Sequence, residues 1–143
     1  MDKNKIKEFL IEPPKMIAHL EGIYGNKFEF HEEFIPEFIE QISHSGSEQK
    51  LIKQLLKRLA AIIALGNVDY GPKWLEHLKT YGNMYSLHLD ADSKNYRLLF
   101  SKTENGKLFL HVFYEKEGKT ASSYAKHVPI AIERRDTQKG EVL

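Results

Sequence analysis

Two residues in the second half of the chain could do chemistry together: His88 and Arg97. Each lies in a stretch that alternates apolar and polar side chains, Tyr85-Ser86-Leu87-His88-Leu89 and Tyr96-Arg97-Leu98-Leu99-Phe100. A period of two is a strand pattern, with successive side chains on opposite faces. If Tyr85, Leu87, Leu89, Tyr96, Leu98 and Phe100 turn toward a core, Ser86, His88 and Arg97 share the other, open face. A guanidinium there could stabilise the crowded, charged phosphorus of a phosphodiester under attack. An imidazole, which titrates near neutrality, could move the protons. This pairing suits RNA cleavage by the substrate's own 2′-hydroxyl, a reaction that requires no metal. Lys116 and Lys119, just beyond the next strand, add cationic character. His111, between Phe109 and Phe113, reads as a buried structural histidine.

Other chemistries are not written in the chain. It has no GxGxxG, P-loop, HExxH or GxSxG pattern. His77, His88, His111 and His127 lack a recognised ligand spacing, so neither a metal nor a cofactor is expected. With no cysteine, disulfides and thiolate metal sites are excluded. The net charge is +1, but it is unevenly split. Residues 1–71 hold 9 Lys/Arg against 11 Asp/Glu, and residues 72–143 hold 12 against 9, so the basic excess lies with the candidate face. No apolar run approaches the roughly 20 residues that span a bilayer. Lys7 and Glu8 interrupt the only early apolar segment, which excludes a signal-peptide core. The expectation is a cytoplasmic protein with no membrane partner.

The elements that must position these residues can be read from spacing. The 143 residues, 41% hydrophobic and 29% charged, suit a single core. Two short helices are expected in residues 1–25, separated by Pro13-Pro14. A short strand follows around Phe28 and Phe30. A helix with Pro36 in its first turn then carries Phe38, Ile39 and Ile42 on one stripe. Ser47 suits the N-cap of the next helix. Residues 48–65 repeat Leu51, Ile52, Leu55, Leu56, Leu59, Ile62 and Ile63 at helical spacing, and Gly66 stops them. Residues 67–82 form a link in which Trp74 covers the core. Three strands come next, over residues 84–89, 95–101 and 108–114. Their turns lie at 90–94 and at Asn105-Gly106, where both residues tolerate positive φ. Pro129 opens a last short helix through Arg135, and residues 136–143 fray. The fold class is α+β, with N-terminal helices and a helical hairpin packed on a small antiparallel β-sheet. A helical extension, residues 1–26, precedes a domain of residues 27–143.

Several ordered motifs resemble those of one family. Tyr85-Ser86-Leu87-His88 is similar to "Y-E-L-R", and Tyr96-Arg97-Leu98-Leu99-Phe100 to "Y-R-V-L-F". His111-Val112-Phe113-Tyr114-Glu115-Lys116 with Lys119-Thr120 is similar to "H-x-F-x-K-K…K-T", and Ala131 with Arg134 to a closing "A-x-x-R". Together they make residues 27–136 resemble the RelE/ParE superfamily of bacterial toxins, nearest its HigB-like and phage-derived members. The resemblance implies a RelE-like fold and the toxin of a type II toxin–antitoxin pair. Its partners would be a protein antitoxin and messenger RNA on the ribosome, which it would cleave as a metal-independent endoribonuclease, inhibiting translation. Arg97 would stabilise the transition state, His88 would transfer a proton, and Lys116 and Lys119 would hold phosphates. Tyr124 or His127 would stack on a base or move a proton. The chain departs from the pattern at His88, where the family carries arginine or lysine, and at Ser86, which supplies no charge. Two other functions fit the same scaffold: inhibition of DNA gyrase in the manner of ParE, and binding without catalysis.

Overall fold

Apolar spacing makes the helices. The computed structural model describes residues 3–66, 71–115 and 120–142. In α1 (Lys3–Ile11) and α2 (Pro13–Tyr24), Ile6, Phe9, Met16 and Leu20 are buried. α3 (Phe34–Ile42) buries Phe34, Ile35, Phe38, Ile39 and Ile42. α4 (Glu48–Leu65) buries Leu51, Ile52, Leu55, Leu59 and Ile62, a stripe at three- and four-residue spacing. Ser47 stands at the N-cap of α4, but its hydroxyl does not cap the helix. It donates instead to Asp92 Oδ2 at 2.6 Å, tying the helical hairpin to a turn of the sheet.

The strands are β1 (Phe28–Phe30), β2 (Leu75–His77), β3 (Tyr85–Ala91), β4 (Lys94–Lys102) and β5 (Lys107–Glu115), in the order β1-β5-β4-β3-β2. Asp92 and Ser93 turn β3 into β4 with φ of 51° and 68°, the left-handed geometry of a tight hairpin. The expectation of a wholly antiparallel sheet needs correction. β1 runs parallel to β5, so the sheet is mixed, because the helices and three strands between them return the chain in the same direction. β2 also adds a strand in the segment read as a link, pairing Leu75–His77 with Leu87–Tyr85.

The sheet has two covered faces. Tyr85, Leu87, Leu89, Tyr96, Leu98 and Phe100 point into the main core with α1 to α4, as their alternation predicted. The opposite face is not open as expected. Leu99, Leu108, Leu110 and Phe113 lie there beneath Tyr124, Val128 and Ala131 of α5 (Thr120–Val142). That apolar stripe at four- and three-residue spacing carries the helix straight through Pro129, which lies inside α5 instead of opening a short helix.

One irregularity decides which side chains reach the α5 face. Leu99 pairs with His111, whereas the next residue, Phe100, pairs with Phe109. Leu110 is therefore the extra residue of a bulge, which reverses the alternation beyond it. Val112 joins the main core, while His111, Phe113 and Glu115 turn to the face that carries Arg97.

Candidate functional site

β3 and β4 place His88 and Arg97 directly opposite one another in register. The backbone of His88 is held on both sides. Its N–H donates to the Trp74 carbonyl at 2.8 Å, and its own carbonyl accepts from Arg58. β2 brings Glu76 opposite Ser86, and α5 lowers Tyr124 onto all three side chains. Its hydroxyl lies 3.0 Å from Glu76 Oε1, 3.0 Å from Ser86 Oγ and 3.3 Å from His88 Nε2. His88 Nε2 is also 3.2 Å from Glu76 Oε1. The Arg97 guanidinium pairs with Glu115, whose side chain is 5% exposed against 14% for Arg97. The pair engages through one bond: Arg97 Nε and Glu115 Oε1 are buried without a hydrogen-bond partner among the described residues.

The electrostatics follow from this packing. Burial lowers the pKa of His88, and the Arg97 cation lowers it further, against the opposing pull of Glu76 and Glu115. His88 is thus a neutral imidazole at pH 7. Burial pushes the Tyr124 phenol well above its ordinary range, so it stays protonated. Among the described residues, the face expected to be basic carries a carboxylate beside each of its two candidates, Glu76 at His88 and Glu115 at Arg97.

A second constellation lies beside the first. Glu37 of α3 accepts from His111 Nδ1 at 2.8 Å, from the Val112 amide at 2.9 Å and from both terminal nitrogens of Arg134 at 3.0 Å. Val112 N–H belongs to the part of β5 beyond its pairing with β1, so the carboxylate supplies what a further strand would. His111 Nε2 lies 2.8 Å from His127 Nδ1. The His127 ring stacks on Phe113, with centroids 4.1 Å apart and planes at 2°. Burial opposes the charge on Glu37, but the hydrogen bonds from His111, Arg134 and Val112 prevail and hold its pKa at about 2. Burial first, then His111 and Lys126, bring His127 down to about 4, although Glu37 pulls the other way.

Of the residues singled out in the sequence, His88, Arg97 and Tyr124 come together. His127 joins His111 and Glu37, with Phe113 between it and the Arg97 strand. Lys116 and Lys119 lie outside the described residues. Glu37, Glu76, Glu115 and Arg134 were not anticipated as partners. Among the described residues, no three His, Asp or Glu side chains converge as a metal-binding group, and no helix is long and apolar enough to cross a membrane. Comparison with family models, with curated proteins and with solved structures finds no match.

Proposed function

We propose that the protein is the toxin of a toxin–antitoxin pair, a RelE-like endoribonuclease that cleaves messenger RNA on the ribosome without a metal. The observation that carries this reading is the cross-strand pairing of His88 with Arg97 beneath the Tyr124 hydroxyl. In this mechanism the 2′-oxygen attacks the adjacent phosphorus and the 5′-oxygen leaves. Arg97 meets the charge that develops on the phosphoryl oxygens. Glu115 occupies the guanidinium in the free protein, and a substrate phosphate replaces that carboxylate without changing the sign of the charge Arg97 faces. Glu76 and Tyr124 fix the imidazole of His88 for proton transfer.

A second reading, a binding protein that cleaves nothing, draws on the same pair. A guanidinium already neutralised by a buried carboxylate can serve structure alone. Induced expression separates the two. Wild-type protein is expected to arrest growth and to create new 5′ ends inside translated messages. Both effects should vanish when Arg97→Met is combined with Glu115→Leu, which removes the pair without stranding a charge. Arrest without new ends would move the target to DNA gyrase, and normal growth would leave a binding protein.

A further inference from the structure

The two edges of the sheet are finished differently. At β2, the outward N–H of Leu75 is taken by the Pro72 carbonyl at 3.2 Å. At β1, the His31 amide donates inward to the Phe109 carbonyl at 2.8 Å, and in a parallel ladder the bonded residues alternate. Glu29 and His31 therefore turn their backbone groups to β5, and Phe28 and Phe30 turn theirs away from it. Among the described residues, nothing accepts from the Phe30 N–H or donates to the Phe30 carbonyl. The open edge runs between two hollows. On the side of the main core, a groove of about 450 Å³ is lined by Ile17 and Glu21 of α2 and by Phe28 and Phe30. On the α5 side, Phe30, His31 and Glu32 face Thr137 and Gln138 across a second hollow of about 380 Å³. Carboxylates rim both. Glu21, Glu29 and Glu32 are exposed, and no ion pair holds them among the described residues. The arginines on this side are engaged, Arg134 by Glu33 and Glu37 and Arg135 by Asp136. Lys27, just before the strand, is the cation adjoining the three carboxylates.

We propose that β1 is a docking edge for an extended, basic segment of a partner protein, which adds to the sheet as a further strand and sets Lys or Arg side chains against Glu21, Glu29 and Glu32. The inference stands apart from the ribonuclease reading and holds equally for a protein that cleaves nothing. Main-chain bonds to Phe28 and Phe30 hold the segment, since an exposed sheet edge pairs with any strand that reaches it. Its side chains alternate between the two faces. Those on one face enter the groove over Ile17 and Phe30, which favours apolar residues there. Those on the other face meet Glu29 and Glu32, which favours basic ones. Charge also argues against other occupants. A nucleic acid would bring phosphates to carboxylates, and a second copy of this chain, pairing β1 with β1, would set Glu29 against Glu29.

Titration of the full chain with a short peptide alternating Lys and Val, followed by amide NMR and hydrogen exchange, tests this. Binding is expected to shift the amides of residues 28–30 and to slow exchange at Phe30 by about 10-fold or more. Glu29→Gln combined with Glu32→Gln is expected to weaken binding by about 5-fold or more at low salt, and added salt should weaken the wild-type complex too. The same peptide with Glu in place of Lys is expected not to bind. Of two further peptides, N-methylated either on every Lys or on every Val, one should lose binding and the other keep it, because only alternate N–H groups of a strand reach the edge. No binding by the Lys/Val peptide, equal binding by its Glu counterpart, or binding that leaves the Phe30 amide exchanging as before would each overturn the proposal. So would a dimer in which the Phe30 amide is already protected, since a second copy would then be the occupant.

Discussion

Arg97 takes its charge to a place where 14% of its side chain meets solvent, and Glu115 answers it from 5%. Removing one member of such a pair leaves the other charge buried and uncompensated, at a cost of about 3–5 kcal/mol. Arg97→Ala alone is therefore a poor test of function, since loss of activity would be mixed with loss of fold. Urea unfolding should place Arg97→Ala and Glu115→Gln about 3 kcal/mol or more below wild type. Arg97→Met with Glu115→Leu should lie within about 1 kcal/mol of it, since apolar side chains of similar volume often replace a buried pair without loss. Single variants as stable as wild type would mean that the pair is not formed. His88 and Arg97 were legible because each sits on a strand with a clean alternation. Glu115 was not, because the bulge at Leu110 reverses the alternation before it is reached. Glu37 was not either, since its partner His111 lies 74 residues further along the chain.

At the scale of elements, the pairing of β1 with β5 depends on a backbone contact that only glycine permits. Asn105-Gly106 was expected to turn through positive φ, but neither residue has it. The chain turns with Thr103 N–H donating to the Gly106 carbonyl at 2.8 Å and Gly106 N–H donating to Thr103 Oγ1 at 3.0 Å. Gly106 is required for another reason: a Cβ there would fall onto the carbonyl of Lys27. Gly106→Ala must push the start of β1 off β5, where Phe28 pairs with Lys107. It is expected to cost about 1–3 kcal/mol and to speed hydrogen exchange at His31, whose amide donates to the Phe109 carbonyl at 2.8 Å. Unchanged stability with an unchanged His31 amide would show that β1 can shift freely. Local periodicity was enough for α4, β3 and β4, whose side-chain faces the sequence specified within each segment. The parallel partner of β1 was hidden because it is a non-local choice. The length of α5 was hidden because the weight usually given to Pro129 was outweighed by apolar contacts with the sheet.

Across the whole molecule, Glu37 joins three elements: α3, β5 through His111 and Val112, and α5 through Arg134. This junction makes the fold sensitive to acid, and the sign follows from two depressed pKa values. His127 falls from 6.5 to about 4 on folding, and Glu37 from 4.5 to about 2. In each interval the unfolded chain binds a proton that the folded chain refuses, so stability rises with pH there. The contribution of His127 is complete above about pH 6.5 and is lost as pH falls toward 4. That of Glu37 is complete above about 4.5 and is lost as pH falls toward 2. His88, also lowered by burial and by Arg97, acts in the same direction as His127. Urea midpoints measured between pH 2.5 and 8 are expected to fall in two overlapping steps as acid is added. His127→Gln should weaken the upper step. Glu37→Gln should remove the lower one and, by withdrawing the carboxylate that favours the imidazolium, extend the His127 step to lower pH. A midpoint that stays level from pH 7 to pH 4 in wild-type protein would mean that α5 does not hold His127 neutral against the sheet, and the junction would then be a contact of Glu37 with Arg134 and Val112 alone.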